Sequence, residues 1–390
     1  MTIKFLHTAD WQLGKPFAGV DDEQKRSILQ QERLEVVKRL GQIAHDEGAE
    51  FVVVAGDLFD SPQATQSTVA AACSAIGSIG IPVFAIPGNH DFGGAGSLWE
   101  QEFFKRERDQ LARNFRVLLT AEPVELDTAV LFPCPLLRRH EAVDPTAWLR
   151  SNPDSDAQFG KKPRIVVAHG SVLDFSGSAD DEEAGGGTPN LIDLTRVPAA
   201  SYDYVALGDW HGAKQVAARA WYSGTPELDR FVKGSDHDPG NVLVVEAERG
   251  ELPRVRVVPT ARIGWHAVDF GFSDDSSIDR LLGLVDEKIG TRAREDLLRL
   301  TLRGSLGIEA ASRLEQMVEI WNARLLRVKL DNQSVIAPTP AELDELTHRA
   351  GDPLISRVAA HLVSLASDGN DDSAVARIAL RELHAACRQE

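Results

Sequence analysis

The chain has 390 residues, 43% hydrophobic and 26% charged, a balance that suits folded domains and excludes both a disordered polymer and a membrane-embedded bundle. That length exceeds one ordinary core, so two or three domains are expected. With 59 acidic against 42 basic residues the formal charge is −17, which excludes a protein that grips nucleic acid through its overall field.

No run of about 18 apolar residues occurs, so no membrane span is expected. The chain enters a strand directly, without a basic and then apolar leader, so no secretory signal is expected either. Cys73, Cys134 and Cys387 are far apart and odd in number. They fit a reducing cytoplasm and argue against a disulfide framework or structural zinc.

In chain order, apolar runs predict strands at 3–7, 51–55, 82–86, 117–120, 129–132, 165–168, 204–207, 219–223, 241–247 and 255–259. Several are continuously apolar, as strands covered on both faces are. Helices are expected between the early ones, at about 22–47, 65–78 and 97–113. The later strands follow in quicker succession, which points to a mixed sheet or a sandwich. SGSADDEEAGGGTPN at 176–190 reads as a mobile surface loop whose DDEE run would repel a phosphate backbone. After about residue 265 the pattern restarts as a compact βαβαβ-like unit and ends near APTPAE. Residues 341–388 then read as two or three helices. Their apolar positions, Leu354, Val358 and Leu362, then Val375, Ala379 and Leu383, either pack on their own domain or receive a partner helix.

One feature recurs after the apolar runs. Asp10 follows IKFLHTA, Asp57 follows FVVVAG, and Asn89 with His90 follow PVFAIPG. His169 follows RIVVA, and Asp209 with His211 follow YVALG. Open α/β sheets place their sites at such strand ends. A single one of these matches an ordinary turn; five in one register suggest a two-metal phosphoesterase centre. Such a centre needs a carboxylate between two cations, further oxygen and nitrogen donors, and an acid for the departing oxygen.

HTADWQLGK, AGDLFD, PGNHD, AHG and LGDWHG resemble the five motifs of the calcineurin-like metallophosphoesterases. GDLFD and the extra domain after the core are similar to the SbcD-type DNA repair nucleases, partners of SbcC-type ATPases. The resemblance implies an α/β fold, a metallophosphoesterase-type double-sheet sandwich flanked by helices, over residues 1–265. A small α+β capping domain at 266–337 and a helical tail at 338–390, a partner-docking region, would follow. It further implies two Mn²⁺ or Mg²⁺ ions. Asp57 would bridge them, Asp10, Gln12 and His211 would hold the first, and Asn89, His169 and Asp209 the second. His90 would face the scissile phosphate as general acid, with Asp60 orienting its imidazole, while Asp91 reads as a local cap. DNA and an SbcC-type coiled-coil ATPase are the partners implied, and a homodimer stays open.

The family pattern has His at positions 12 and 209, where this chain has Gln12 and Asp209. Both changes move the donors from nitrogen toward hard oxygen, favouring Mn²⁺ or Mg²⁺. WYSGTPELDRF at 221–231 is either a substrate-channel segment or a turn between strands. Trp11 and Trp210 either pack beneath the site or stack on a nucleobase. His237 is expected to be exposed and inert. Arg292, Arg294, Arg299 and Arg303 are the local candidates for phosphate-backbone contact. Rival readings are a phosphoesterase for small nucleotides or phosphoproteins, and a scaffold subunit with an attenuated centre.

Overall fold

β1 (Ile3–Thr8) is apolar at most positions because it is covered on both faces: Phe5 points into one core and Leu6 into another. It runs through the middle of the first of two compact units, Met1–Ile263 and Gly264–Glu390. This computed structural model describes residues 2–151, 156–173, 190–198, 200–232, 237–337, 339–349, 351–367 and 372–388. The acidic run at 180–183 lies outside them.

After β1, α1 (Glu23–Glu47) starts where the Asp22 side chain accepts the amides of Gln24 and Lys25, and stops at Gly48 with φ 65°. Strands and helices then alternate: β2 (Val52–Ala55), α2 (Gln66–Gly77), β3 (Val83–Ile86), α3 (Glu102–Leu111) and β4 (Phe115–Val117). β5 (Val124–Glu125), β6 (Val130–Cys134), the single turn α4 (Asp156–Phe159) and β7 (Arg164–His169) follow. A short pair, β8 (Ser171–Val172) and β9 (Leu191–Ile192), precedes β10 (Tyr204–Gly208), β11 (Lys214–Ala217) and β12 (Ala220–Tyr222). The hairpin β13 (Asn241–Ala247) and β14 (Arg254–Pro259) completes the unit.

Among the described residues these strands build two six-stranded mixed sheets, ordered β14-β13-β1-β2-β3-β4 and β11-β12-β10-β7-β6-β5. Phe5, Val53 and Ile86 of the first sheet meet Leu131, Ile165 and Ala206 of the second in one shared core. The outer face of the first sheet is covered by Val37, Leu40, Val69, Ile76 and Phe104 from α1, α2 and α3. Leu149, Phe159 and Tyr202 cover the outer face of the second. Each such side chain, fully buried, contributes about 1.5–3 kcal/mol, so a charge at Val53 would break the sandwich.

β1, β2 and β3 are mutually parallel, as are β7 and β10. Their carboxyl ends therefore share an edge within each sheet. The strand expected at 117–120 starts earlier, because Phe115 pairs with Val83 and packs in the helical core. β11 has no apolar run to betray it: it is an edge strand whose residues alternate between half-buried and exposed.

In the second unit, β15 (Gly264–Phe272), α5 (Ser277–Ile289), β16 (Asp296–Leu306), α6 (Ile308–Arg324) and β17 (Arg327–Asn332) form a parallel βαβαβ layer. β18 (Val335–Ile336) pairs in parallel with the end of β16. Val268, Leu281, Leu300 and Trp321 fill its core. A capping box between Thr339 and Glu342 starts α7 (Pro340–Thr347), followed by α8 (Pro353–Ser367) and α9 (Asp372–Arg388). Leu346, Ala359 and Leu380 of these helices pack on Ile308, joined by Leu362 and Leu383. Leu354, Val358 and Val375 face outward, Leu354 with 69% exposed. No described helix is long and apolar enough to cross a membrane. The three cysteines are free.

Candidate metal centre

Asp10, Gln12, Asp57 and Asp209 have φ of 53°, 43°, 54° and 103°, four of the seven described non-glycine residues in the left-handed region. Asp and Asn tolerate that region better than most residues, at about 1–3 kcal/mol each. The loops after β1 and β2 hold these conformations by bonding to each other. Asp10 N–H donates to the Gly56 carbonyl (3.1 Å), Gln12 N–H to Asp57 (2.9 Å) and Leu13 N–H to Leu58 (2.9 Å). Arg33 of α1, 1% exposed, braces them from below. Its Nε donates to the Trp11 carbonyl (2.7 Å), Nη2 to the Asp10 carbonyl (3.0 Å) and Thr225 Oγ1 (3.1 Å), and Nη1 to the Glu227 carbonyl (3.1 Å). Two glycines let the loops close: a Cβ on Gly88 would lie 2.1 Å from Asp57 Oδ1, and one on Gly56 would lie 2.2 Å from His169 Nδ1.

Donor atoms gather around His169. Its Nδ1–H donates to the Ala55 carbonyl (2.8 Å), which turns Nε2 toward three oxygens. These are Asn89 Oδ1 at 2.9 Å, Asp57 Oδ1 at 3.5 Å and Asp209 Oδ1 at 3.9 Å. Burial alone would lower this imidazole's pKa, but Asp57, Asp10 and Asp209 outweigh it and push it up to about 9. Asp10 is fully buried, accepts the Asp209 N–H on both oxygens (3.2 Å each), and is pushed above the usual carboxylate range by that burial, against the pull of His211 and His169. Asp10, Asp57 and His169 offer ligand atoms within 4.8 Å of one another. A divalent cation would take the place of the imidazole proton among these carboxylate and amide oxygens. The set fits a hard divalent ion such as Mn²⁺ or Mg²⁺. Ser171 Oγ donates to Asp209 Oδ2 (2.8 Å) and fixes its rotamer, a contact that spacing along the chain does not reveal.

His90 stands at the open side, its side chain 30% exposed. Its backbone N–H donates to Asp57 Oδ1 (2.9 Å), and its Nε2 lies 4.0 Å from Asp57 Oδ2. Burial works to lower its pKa, but Asp57 and the carbonyl of Asp60 prevail and hold it above the usual range. Asp60 meets this imidazole through its backbone rather than its carboxylate. Nδ1–H donates to the Asp60 backbone carbonyl (2.8 Å), while the Asp60 carboxylate accepts from Lys15 Nζ (3.5 Å). The Asp60 N–H donates to the Leu13 carbonyl (3.1 Å), which holds this peptide in place. Asp91 does more than cap its own turn. Fully buried, it accepts from Gly88 N (2.7 Å) and Phe59 N (3.0 Å), stapling the loop after β2 to the loop after β3.

Gln12 and His211 form a second group near Asp10. Lys15 Nζ donates to Gln12 Oε1 (2.6 Å), and Gln12 Nε2 lies 3.4 Å from His211 Nε2. His211 Nδ1 is 3.2 Å from Asp229 Oδ1, and Asp229 Oδ2 is 3.2 Å from Lys15 Nζ. Burial would raise the Asp229 carboxyl; His211, Arg230 and Lys15 reverse that and keep it well below the usual range. Asp229 comes from the 221–231 segment, so that segment reaches the centre through a carboxylate. Trp11, 1% exposed, donates its Nε1–H to Thr8 Oγ1 (2.9 Å) and packs beneath the site. His237 is half-buried, not exposed: its ring lies 4.7 Å from that of Trp210, because the turn before β13 folds back on the last strand-end loop.

Residues 3–213 match the calcineurin-like phosphoesterase family. Over 93 residues the chain is 38% identical to the D component of the nuclease SbcCD of Bacillus subtilis (strain 168), covering 23% of this chain and 22% of that one. Against the D component of the nuclease SbcCD of Staphylococcus epidermidis (strain ATCC 12228 / FDA PCI 1200) it is 27% identical over 224 residues, 54% of this chain and 57% of that one. The matched stretches span only about a fifth and a little over half of these relatives. The solved structure of TT1561 of Thermus thermophilus aligns with a TM-score of 0.40 at 13% identity, over 67% of this chain and 100% of its own.

Proposed function

This chain belongs to the calcineurin-like phosphoesterase family, and from that premise we propose that it is a divalent-metal-dependent DNA nuclease subunit hydrolysing phosphodiesters. The observation that carries the reading is the pairing of a buried donor cluster with a half-open imidazole. His90 is pinned at Nδ1 by the Asp60 carbonyl, which leaves its Nε2 edge beside Asp57 to meet a substrate. Asp10, Asp57, Asn89, His169 and Asp209 would hold the cation, and their hardness favours Mn²⁺. When bound, the cation supplies charge for the phosphoryl oxygens and lowers the pKa of the attacking water. The chain's own part is to fix that charge and to deliver the Nε2 proton of His90 to the departing oxygen.

DNA as substrate and an SbcC-type ATPase as partner follow from the resemblance carried by GDLFD and the domain after the core, and the two curated relatives, named as one component of a nuclease, support the nuclease part. In this reading the outward apolar residues Leu354, Val358 and Val375 are where such a partner docks. The formal charge of −17 favours a second reading, a phosphoesterase of small nucleotides that never needs to hold a polyanion. Incubation of the metal-free chain with Mn²⁺ and linear duplex DNA separates the two. Nucleotide release that falls about 10²–10⁴-fold in His90→Asn, at unchanged Mn²⁺ affinity, is the expected result. Turnover of p-nitrophenyl esters or mononucleotides with intact DNA would move the assignment to the second reading.

A further inference from the structure

Lys15, Gln12, His211 and Asp229 close a ring of hydrogen bonds where the family resemblance implies the first of two ions. The four contacts are Lys15 Nζ to Gln12 Oε1 at 2.6 Å, Gln12 Nε2 to His211 Nε2 at 3.4 Å, His211 Nδ1 to Asp229 Oδ1 at 3.2 Å, and Asp229 Oδ2 to Lys15 Nζ at 3.2 Å. Donor and acceptor roles follow from the ammonium. It has only protons to offer, so the Gln12 carbonyl must face it and the amide NH₂ must face His211. That NH₂ also only donates, so His211 presents its lone pair at Nε2 and carries its proton on Nδ1, toward Asp229. Arg230 Nη2 approaches Nδ1 at 3.5 Å. A donation there would demand the opposite tautomer and set N–H against NH₂ across the ring.

Two of the three donors of the first position, Gln12 and His211, are thus engaged. The Gln12 carbonyl is taken by Lys15, and the His211 lone pair by Gln12. The cation present between Asp229, Asp60 and Gln12 is an ammonium. We propose that Lys15 replaces the first metal ion, so that this chain binds a single divalent ion, held by Asp10, Asp57, Asn89, His169 and Asp209. The inference deepens the metal-centre reading above and rests on it. Gln12 and Lys15 act together: an imidazole at 12 would coordinate, whereas an amide can serve an ammonium on one side and an imidazole on the other. Lys15 is also 21% exposed, enough for the same ammonium to meet a phosphoryl oxygen.

The test reads metal and needs no substrate. The metal-free full chain is titrated with Mn²⁺ by calorimetry, its bound metal is counted by elemental analysis after dialysis, and its electron paramagnetic resonance spectrum is recorded. The expected result is about one Mn²⁺ per chain and a spectrum without exchange coupling. Gln12→His combined with Lys15→Gln restores the imidazole and removes the ammonium, and should take up about two ions that couple. Histidine is tolerated at the left-handed backbone of position 12. Two coupled ions in the wild type, or none, overturn the proposal, and so does a folded double variant that still takes about one. If the double variant does not fold, the wild-type count alone decides. A chain that holds one ion yet leaves DNA intact refutes the nuclease reading and not this one; an active chain with two ions does the reverse.

Discussion

Replacing Arg33 with Met removes the guanidinium and leaves most of the volume. Arg33 supports the carbonyls of Trp11, Asp10 and Glu227 and the hydroxyl of Thr225, all buried. Thr225 Oγ1 lies 2.8 Å from both the Asp10 and the Glu227 carbonyl, but it has one proton, so it can satisfy only one of them. Two buried carbonyls are then left without a partner, at about 1–3 kcal/mol each. Against this runs the relief of no longer burying a cation, the effect that lowers the pKa of Arg33 despite Asp229, Glu227, Asp60 and Asp10 around it. The net expectation is a loss of roughly 3 kcal/mol. Urea unfolding of metal-free Arg33→Met at neutral pH, beside the wild type, measures it. Because the lost bonds hold the peptides of Asp10 and Trp11, Mn²⁺ affinity should also fall about tenfold, the equivalent of roughly 1.4 kcal/mol. Stability within about 0.5 kcal/mol of wild type, with unchanged Mn²⁺ binding, would refute the idea that this residue braces the centre.

Three further outcomes are expected. Burial lowers the His7 pKa from 6.5 to about 3, with its ring held by Tyr204 Oη and the Leu207 carbonyl. Between those pH values the unfolded chain binds a proton that the folded chain refuses. The contribution of His7 to stability therefore rises with pH through this window, and going from pH 6.5 to pH 5 removes about 1.6 kcal/mol of it, while buried Asp10, Asp91 and Glu227, each raised to about 7, contribute in the opposite direction. The difference in stability between wild type and His7→Gln should change by that amount across the window in unfolding titrations, and an equal slope in both proteins would contradict the assignment. Gly88→Ala drives a methyl onto Asp57; a stability loss of about 1–3 kcal/mol is expected, together with weaker Mn²⁺ binding in calorimetry. An alanine variant that binds metal normally would mean that the loop yields. Burial pushes the thiols of Cys73 and Cys134 up to about 12, whereas Cys387 is half-buried. Iodoacetamide should therefore label Cys387 of the native chain and spare the other two, as read by peptide mass spectrometry.

The sandwich was legible because strands covered on both faces are written as unbroken apolar runs, and FVVVA, IVVA and YVAL all became inner strands. The side chains at the strand ends were legible because their place follows from the parallel order. β11 was not, since a polar edge strand lacks the apolar signal that marks its neighbours. Lys15 and Asp229 stand 214 residues apart, and only the folded chain brings them into one ring. Arg33 could have been found. It interrupts the buried stripe of α1 formed by Leu29, Val36, Val37, Leu40 and Ala44, and a charge on an apolar stripe needs partners in the interior. That Asp60 holds the His90 imidazole through its backbone carbonyl is visible only in the fold, because no sequence pattern says whether a side chain or its peptide makes the bond.

The left-handed backbone at Asp10, Asp57 and Asp209 bears on how such a protein can lose its chemistry. Asparagine suits that backbone nearly as well as aspartate and carries no charge, whereas a branched or bulky replacement is opposed by the turn itself. Inheritance at these three sites is thereby channelled. Descendants that go silent should do so as folded proteins bearing asparagine there, and the architecture should outlive the reaction it was built to house.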